Sequence, residues 1–192
     1  VLKLTEYNTA ISGKFINNGT LEFTGGGLFK VISKKGQLIN TGKVSADSEV
    51  LIGGGTFVNQ TEATLNDLTI RAGQLINESG SLVDRGTTTV NLSDKTVVGI
   101  ENNAEIRFAD LQLVSGVIEG GTIGTADSVG TVQADGTIRN ADAVFKDLTN
   151  AGVVNVGKLT TKTSFTNSGT VNLVTADVTG LVNETAGTVT VK

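Results

Sequence analysis

Apolar and polar residues alternate along this chain in short runs, and breaks rich in glycine, asparagine and serine separate the runs. Leu21 and Phe23 flank Glu22, Ile106 and Phe108 flank Arg107, Val171 and Leu173 flank Asn172, and Val189 and Val191 flank Thr190. In a strand, alternate side chains share a face, so each such run predicts a short strand with one apolar face turned inward. No long stretch keeps an apolar stripe at the 3.6-residue helical period, which excludes a helical reading. The pattern predicts an all-β chain.

One phrase recurs inside this alternation. It reads FINNGTL from Phe15, LINTGKV from Leu38, LINESGSL from Leu75, LTNAGVV from Leu148 and FTNSGTV from Phe165. With its asparagine as register mark, the phrase falls at Asn17, Asn40, Asn59, Asn77, Asn102, Asn140, Asn150, Asn167 and Asn183, with Gly120 in the equivalent place of VIEGGTI. The spacings run from 16 to 25 residues, except for the 10 between Asn140 and Asn150, which places one of those two in a different corner. The residue two before the mark is always apolar: Phe15, Leu38, Phe57, Leu75, Ile100, Ile118, Ile138, Leu148, Phe165 and Leu181. The residue one before is mixed and includes Glu101, Glu119, Arg139, Thr149 and Thr166. Strand geometry then turns the apolar residue inward, the mixed residue outward and the asparagine inward at a corner.

A fixed period near 20 residues, short strands and glycine corners describe a parallel β-helix of about 8–10 coils, each coil pairing with the next. β-Propeller blades need about twice this period. The repeat covers nearly the whole chain, so residues 1–192 are read as a single elongated body. Stacked inward asparagines are expected to form a hydrogen-bonded ladder at one corner, because a corner turns backbone groups into the coil where they need partners. Through FINNGTL, LINTGKV, LTNAGVV and FTNSGTV the chain resembles the passenger and stalk regions of bacterial filamentous haemagglutinin-like adhesins and related autotransporters. The resemblance implies a right-handed parallel β-helix, export across a bacterial outer membrane and a role in attachment or display.

Composition narrows the function classes. Aromatic residues are only 4% of the chain and Pro is absent while Gly numbers 25, which suits a narrow aliphatic core with tight corners and unbroken ladders. There is no Cys, hence no disulfide framework or thiolate chemistry. The net charge of -4 and the scattered cations, without a basic stripe or stacking aromatics, exclude a nucleic-acid groove. No signal peptide and no apolar run of membrane-spanning length is present in these residues. The absence of Met leads us to expect a processed or excised segment.

Candidate chemistry is sparse. Glu101, Glu119 and Arg139 fall in the outward row of successive coils, where two carboxylates about 5 Å apart would suit a glycosidase pair or a cation. The plain alternative is an exposed row in which Arg139 offsets the acids. With no His and no paired aspartates, an enzyme is not expected, nor a cofactor or metal site. The clusters Gly25–Gly27, Gly53–Gly55 and Gly120-Gly121 lack the Lys-Ser/Thr of a phosphate loop and read as corners. Asn-x-Ser/Thr triplets at Asn18, Asn59, Asn77, Asn91 and Asn183 are as frequent as chance allows in so polar a chain.

Both termini are strand-like, at Val1–Leu4 and Thr188–Lys192, so the expected partners are further coils of the same chain or another copy stacked end to end. The expected function is a secreted bacterial cell-surface stalk or adhesin segment, meeting a host or bacterial surface receptor or a glycan. Two other readings stand beside it: the protomer of a self-assembling extracellular filament, and a polysaccharide-active β-helix enzyme.

Overall fold

The computed structural model describes residues 1–5 and 8–192. Among them there is no helix: parallel strands stack into a β-solenoid of about ten turns with a period of about 19 residues. The short apolar-polar runs become strands because each pairs in register with the run one coil away. Lys14–Asn17 pairs with Gln37–Asn40, which pairs with Thr56–Asn59, which pairs with Gln74–Asn77. At a strand separation of about 4.8 Å, ten coils make a rod on the order of 45 Å long.

Each coil has three faces, each led by one vertical row of inward side chains and followed two residues on by another inward row, such as Val31, Ile52, Ile70 and Val90 on the third face. The first row runs through Phe15, Leu38, Phe57, Leu75, Ile100, Ile118, Ile138, Val154, Val171 and Val189. The second includes Leu21, Val44, Ala63, Leu82, Ile106 and Ile123, and the third Phe29, Val50, Leu68, Thr88 and Leu111. The burial pattern of Gln37–Asn40 and its neighbours alternates as the sequence predicts, with Leu38 and Asn40 at 0% exposure. So narrow a core has room for few rings, and the Phe23 and Phe29 rings stack at 4.0 Å between centroids.

Tight corners also stack. A Cβ on Gly42 would lie 2.1 Å from the carbonyl oxygen of Gly19 in the neighbouring coil, so only glycine fits there. At Gly26 a Cβ would meet nothing within 4 Å. Gly42→Ala is therefore expected to destabilise the fold by about 1–3 kcal/mol, while Gly26→Ala leaves it unchanged or stabilises it by about 0.5 kcal/mol. Urea unfolding of the two variants checks this, and equal midpoints would show that the corners do not stack so closely.

Candidate functional site

Most of the recurring asparagines end strands that are followed by a two-residue turn, 18–19 after Asn17, 41–42 after Asn40, 60–61 after Asn59 and 103–104 after Asn102; after Asn77 the turn has three residues, 78–80. The two-residue turn points the amide of its second residue back into the coil. The amide of Gly19 donates to Asn17 Oδ1 at 3.3 Å, that of Gly42 to Asn40 Oδ1 at 3.3 Å, and that of Ala104 to Asn102 Oδ1 at 3.2 Å. Each Nδ2 then donates to the Oδ1 one coil on: Asn17 to Asn40 at 2.8 Å, Asn40 to Asn59 at 2.9 Å, Asn59 to Asn77 at 2.8 Å and Asn77 to Asn102 at 2.8 Å. Nδ2 also reaches the strand that begins after the neighbouring turn, as from Asn17 to the carbonyl of Lys43 at 2.9 Å and from Asn102 to that of Thr122 at 3.0 Å. Among the described residues no buried side-chain nitrogen or oxygen lacks a partner.

The stack does not keep to one corner. Asn150 donates to Asn167 at 2.8 Å and Asn167 to Asn183 at 2.7 Å, but these three follow the third face. Leu148 packs over Gly130, and the amide of Ala151 donates to the carbonyl of Val132 at 2.7 Å, so Asn150 stands over Val132. The row beneath it is aliphatic: Val132 registers with Leu113, and Leu113 with Val90. The first corner changes in the opposite sense, since Ala141, Val156 and Leu173 register there in later coils. The two corners exchange chemistry because the two-residue turn moves from one to the other, to 151–152 and 168–169.

Asn140, expected in the ladder, is not part of either stack. Arg139 registers with Asn155 and Ala141 with Val156, so Asn140 is an extra residue bulged between them. It takes a left-handed φ of 54°, which turns its side chain out of the core, and it is exposed. There its Nδ2 donates to Glu119 Oε1 at 2.9 Å. Asn183 ends the second stack but is itself exposed.

The outward row forms as the spacing predicts, with Glu101 registered on Glu119 and Glu119 on Arg139. Arg139 donates to Glu119 Oε2 from Nη2 at 2.7 Å and from Nε at 3.1 Å. With Arg139 on one carboxylate oxygen and Asn140 on the other, Glu119 is held below the usual carboxylate range. A carboxyl fixed in its ionised form, both oxygens engaged, is poorly placed to act as a general acid. The pair is substantially exposed, so it adds little stability. Among the described residues no three His, Cys, Asp or Glu side chains cluster in a way that could hold a metal ion.

The alternation also turns one acid inward. Asp84 stands in an inward row between Leu65 and Phe108 and is 1% exposed. It closes the bend at Arg85–Thr87, accepting from the amide of Gly86 at 3.2 Å and from the inward hydroxyl of Thr88 at 2.5 Å. Burial outweighs these bonds and raises its pKa above the ordinary aspartate value. Comparison with protein-family models, with curated proteins and with solved structures returns no match to this chain.

Two expectations follow. Asn77→Leu strands inward polar groups and costs about 1–3 kcal/mol in chemical unfolding, whereas Asn140→Ala leaves the midpoint almost unchanged; equal effects would refute the two-stack assignment. For Asp84, the raised folded pKa means that its stability contribution is complete below the unfolded value and is lost as pH rises through the folded one. The stability gain of Asp84→Asn over the parent should accordingly grow as pH rises through that window. Parallel stability profiles for the two proteins would show that Asp84 is not desolvated.

Proposed function

We propose that this chain is a stalk segment of a secreted bacterial surface protein, a stiff rod that holds a recognition surface away from the cell. The observation that carries the reading is the continuity of bonding along the rod axis. Strand ladders join successive coils, and two stacks of asparagine amides, buried except at Asn183, run in the same direction. A load or bend along the axis is shared over three strand ladders and the amide stacks, as expected of a quasi-one-dimensional repeat structure. The chain's N-x-G phrases, with their resemblance to haemagglutinin-like stalks, support the same reading. So does the outer surface, where ion pairs bridge neighbouring coils: Lys3 with Glu22 at 3.0 Å, Lys43 with Glu62 at 3.2 Å and Arg139 with Glu119 at 2.7 Å.

The function of a stalk is geometric. Its side chains stabilise one another, and its outward faces are free to vary while the inward rows keep the period. Antibody against the folded chain should label intact, unpermeabilised cells of the source organism in immunoelectron microscopy, with the label standing off the envelope. Labelling that appears only after permeabilisation would overturn the reading. Sedimentation of the purified chain over a wide concentration range distinguishes a stalk segment, which stays monomeric, from a filament protomer, which polymerises.

A further inference from the structure

The corner after the third face carries a notch that the stalk reading does not use. The connections there span 32–36, 53–55, 71–73 and 92–97 in four successive coils, so two short corners lie between two long ones. The long ones project as hydrogen-bonded turns. The amide of Gly36 donates to the carbonyl of Ser33 at 3.0 Å, and that of Val97 to the carbonyl of Asp94 at 3.2 Å. Ser33 takes a left-handed φ of 70°, and Lys34 and Lys35 occupy the tip of its turn. The resulting cavity measures about 660 Å³. Its walls stand three coil steps apart, about 14 Å at the usual strand separation.

The floor is Gly54, Gly55, Ala72 and Gly73, with Lys34 and Arg71 at its sides. Gly55 and Gly73 are glycine for packing: a Cβ on either would lie 2.3 Å from a carbonyl oxygen of the adjacent coil. Gly54 is less constrained, since a Cβ there would press on the Ser33 backbone only at 3.3 Å and its φ is not left-handed. Its missing side chain keeps the floor bare. The amides of Gly54, Gly55, Ala72 and Gly73 make no backbone hydrogen bond among the described residues. Nor do Lys34 and Arg71 form an ion pair among them, although five other cations do. The one acid in the wall, Asp94, is tied into its own turn by the amide of Thr96 at 2.9 Å and the hydroxyl of Thr96 at 2.7 Å.

Two exposed cations beside an open glycine floor supply the charge and the access that an oxyanion requires. The rest of the lining mixes Thr56, Gln74 and Ser93 with Leu92, Val97 and Val98, which suits the hydroxyls and the C–H surface of a sugar ring. We propose that this notch binds an anionic sugar of an acidic polysaccharide, its carboxylate or sulfate oxygens resting between Lys34 and Arg71. The absence of aromatic side chains from the lining sets it apart from a nucleic-acid site, which needs stacking surfaces.

Equilibrium binding of the full chain to polygalacturonate, dextran sulfate and neutral dextran tests the assignment. One or both polyanions should bind and neutral dextran should not, with preference between the two identifying carboxylate or sulfate as the recognised group. The double variant Lys34→Gln/Arg71→Gln should weaken binding by at least about tenfold. Gly54→Leu, which fills the floor at unchanged charge, should weaken it as well. A charge-matched control, Lys158→Gln/Lys162→Gln, alters two exposed lysines that do not line the notch and should bind as the parent does. Failure of both polyanions to bind, equal binding of neutral dextran, or equal loss in the control would overturn the proposal. Circular dichroism of each variant confirms that the fold is kept. The outcome is independent of the stalk reading, which cell-surface labelling decides.

Discussion

A narrow solenoid has to satisfy the backbone groups that its corners turn inward, where water does not reach. Strand pairing takes care of the flat faces, since each residue bonds to its counterparts above and below. Two-residue turns leave an amide pointing into the coil, and a carbonyl in the next coil faces the same space. Asparagine answers both with one side chain: Oδ1 accepts from the local turn, and Nδ2 donates to the neighbouring coil. Because each amide also bonds to the next asparagine, satisfaction of one corner depends on its neighbours. The ladder is a consequence of corner geometry and travels with the two-residue turn when that turn changes corner.

This constraint sets where variation is allowed. Inward rows stay largely apolar, from Ala63 to Phe57, while the outward residue before each corner position ranges from Ile16 to Glu119 and Arg139. Asp84 shows how the same logic handles an exception. It turns inward only where the bend at 85–87 offers an amide and Thr88 offers a hydroxyl, and it is shifted toward its neutral form. Corner length is the other free variable. Lengthening a corner raises a turn from the ridge without disturbing the strands beneath, and two raised turns around two short corners create the notch between Lys34 and Arg71.

Asn140 illustrates where local pattern stops being informative. Ile138, Arg139 and Asn140 match the recurring phrase position by position, yet the next coil pairs around Asn140 and expels it. Whether a residue is paired or bulged depends on how many residues the neighbouring coil uses over the same span. No local spacing carries that count. The anomalous interval between Asn140 and Asn150 was the one trace of it in the chain.

The sequence by itself determined the parallel β-helix, its period, the inward turn of the residue two before each asparagine from Phe15 to Phe165, and the registration of Glu101, Glu119 and Arg139. It did not show that Leu148 and Phe165 leave the row of Phe15 for the third face or that Leu181 is exposed. Strand alternation and a repeated turn are local properties that any single coil displays. Tertiary structure alone decided that the asparagines form two stacks at different corners. It also decided that Asn140 holds Glu119 instead of a ladder position, and that Lys34, Gly54, Arg71 and Asp94 border one cavity. Those facts concern what stands above what. In a solenoid that relation is set by the cumulative length of every coil between, which the pattern within one repeat does not contain.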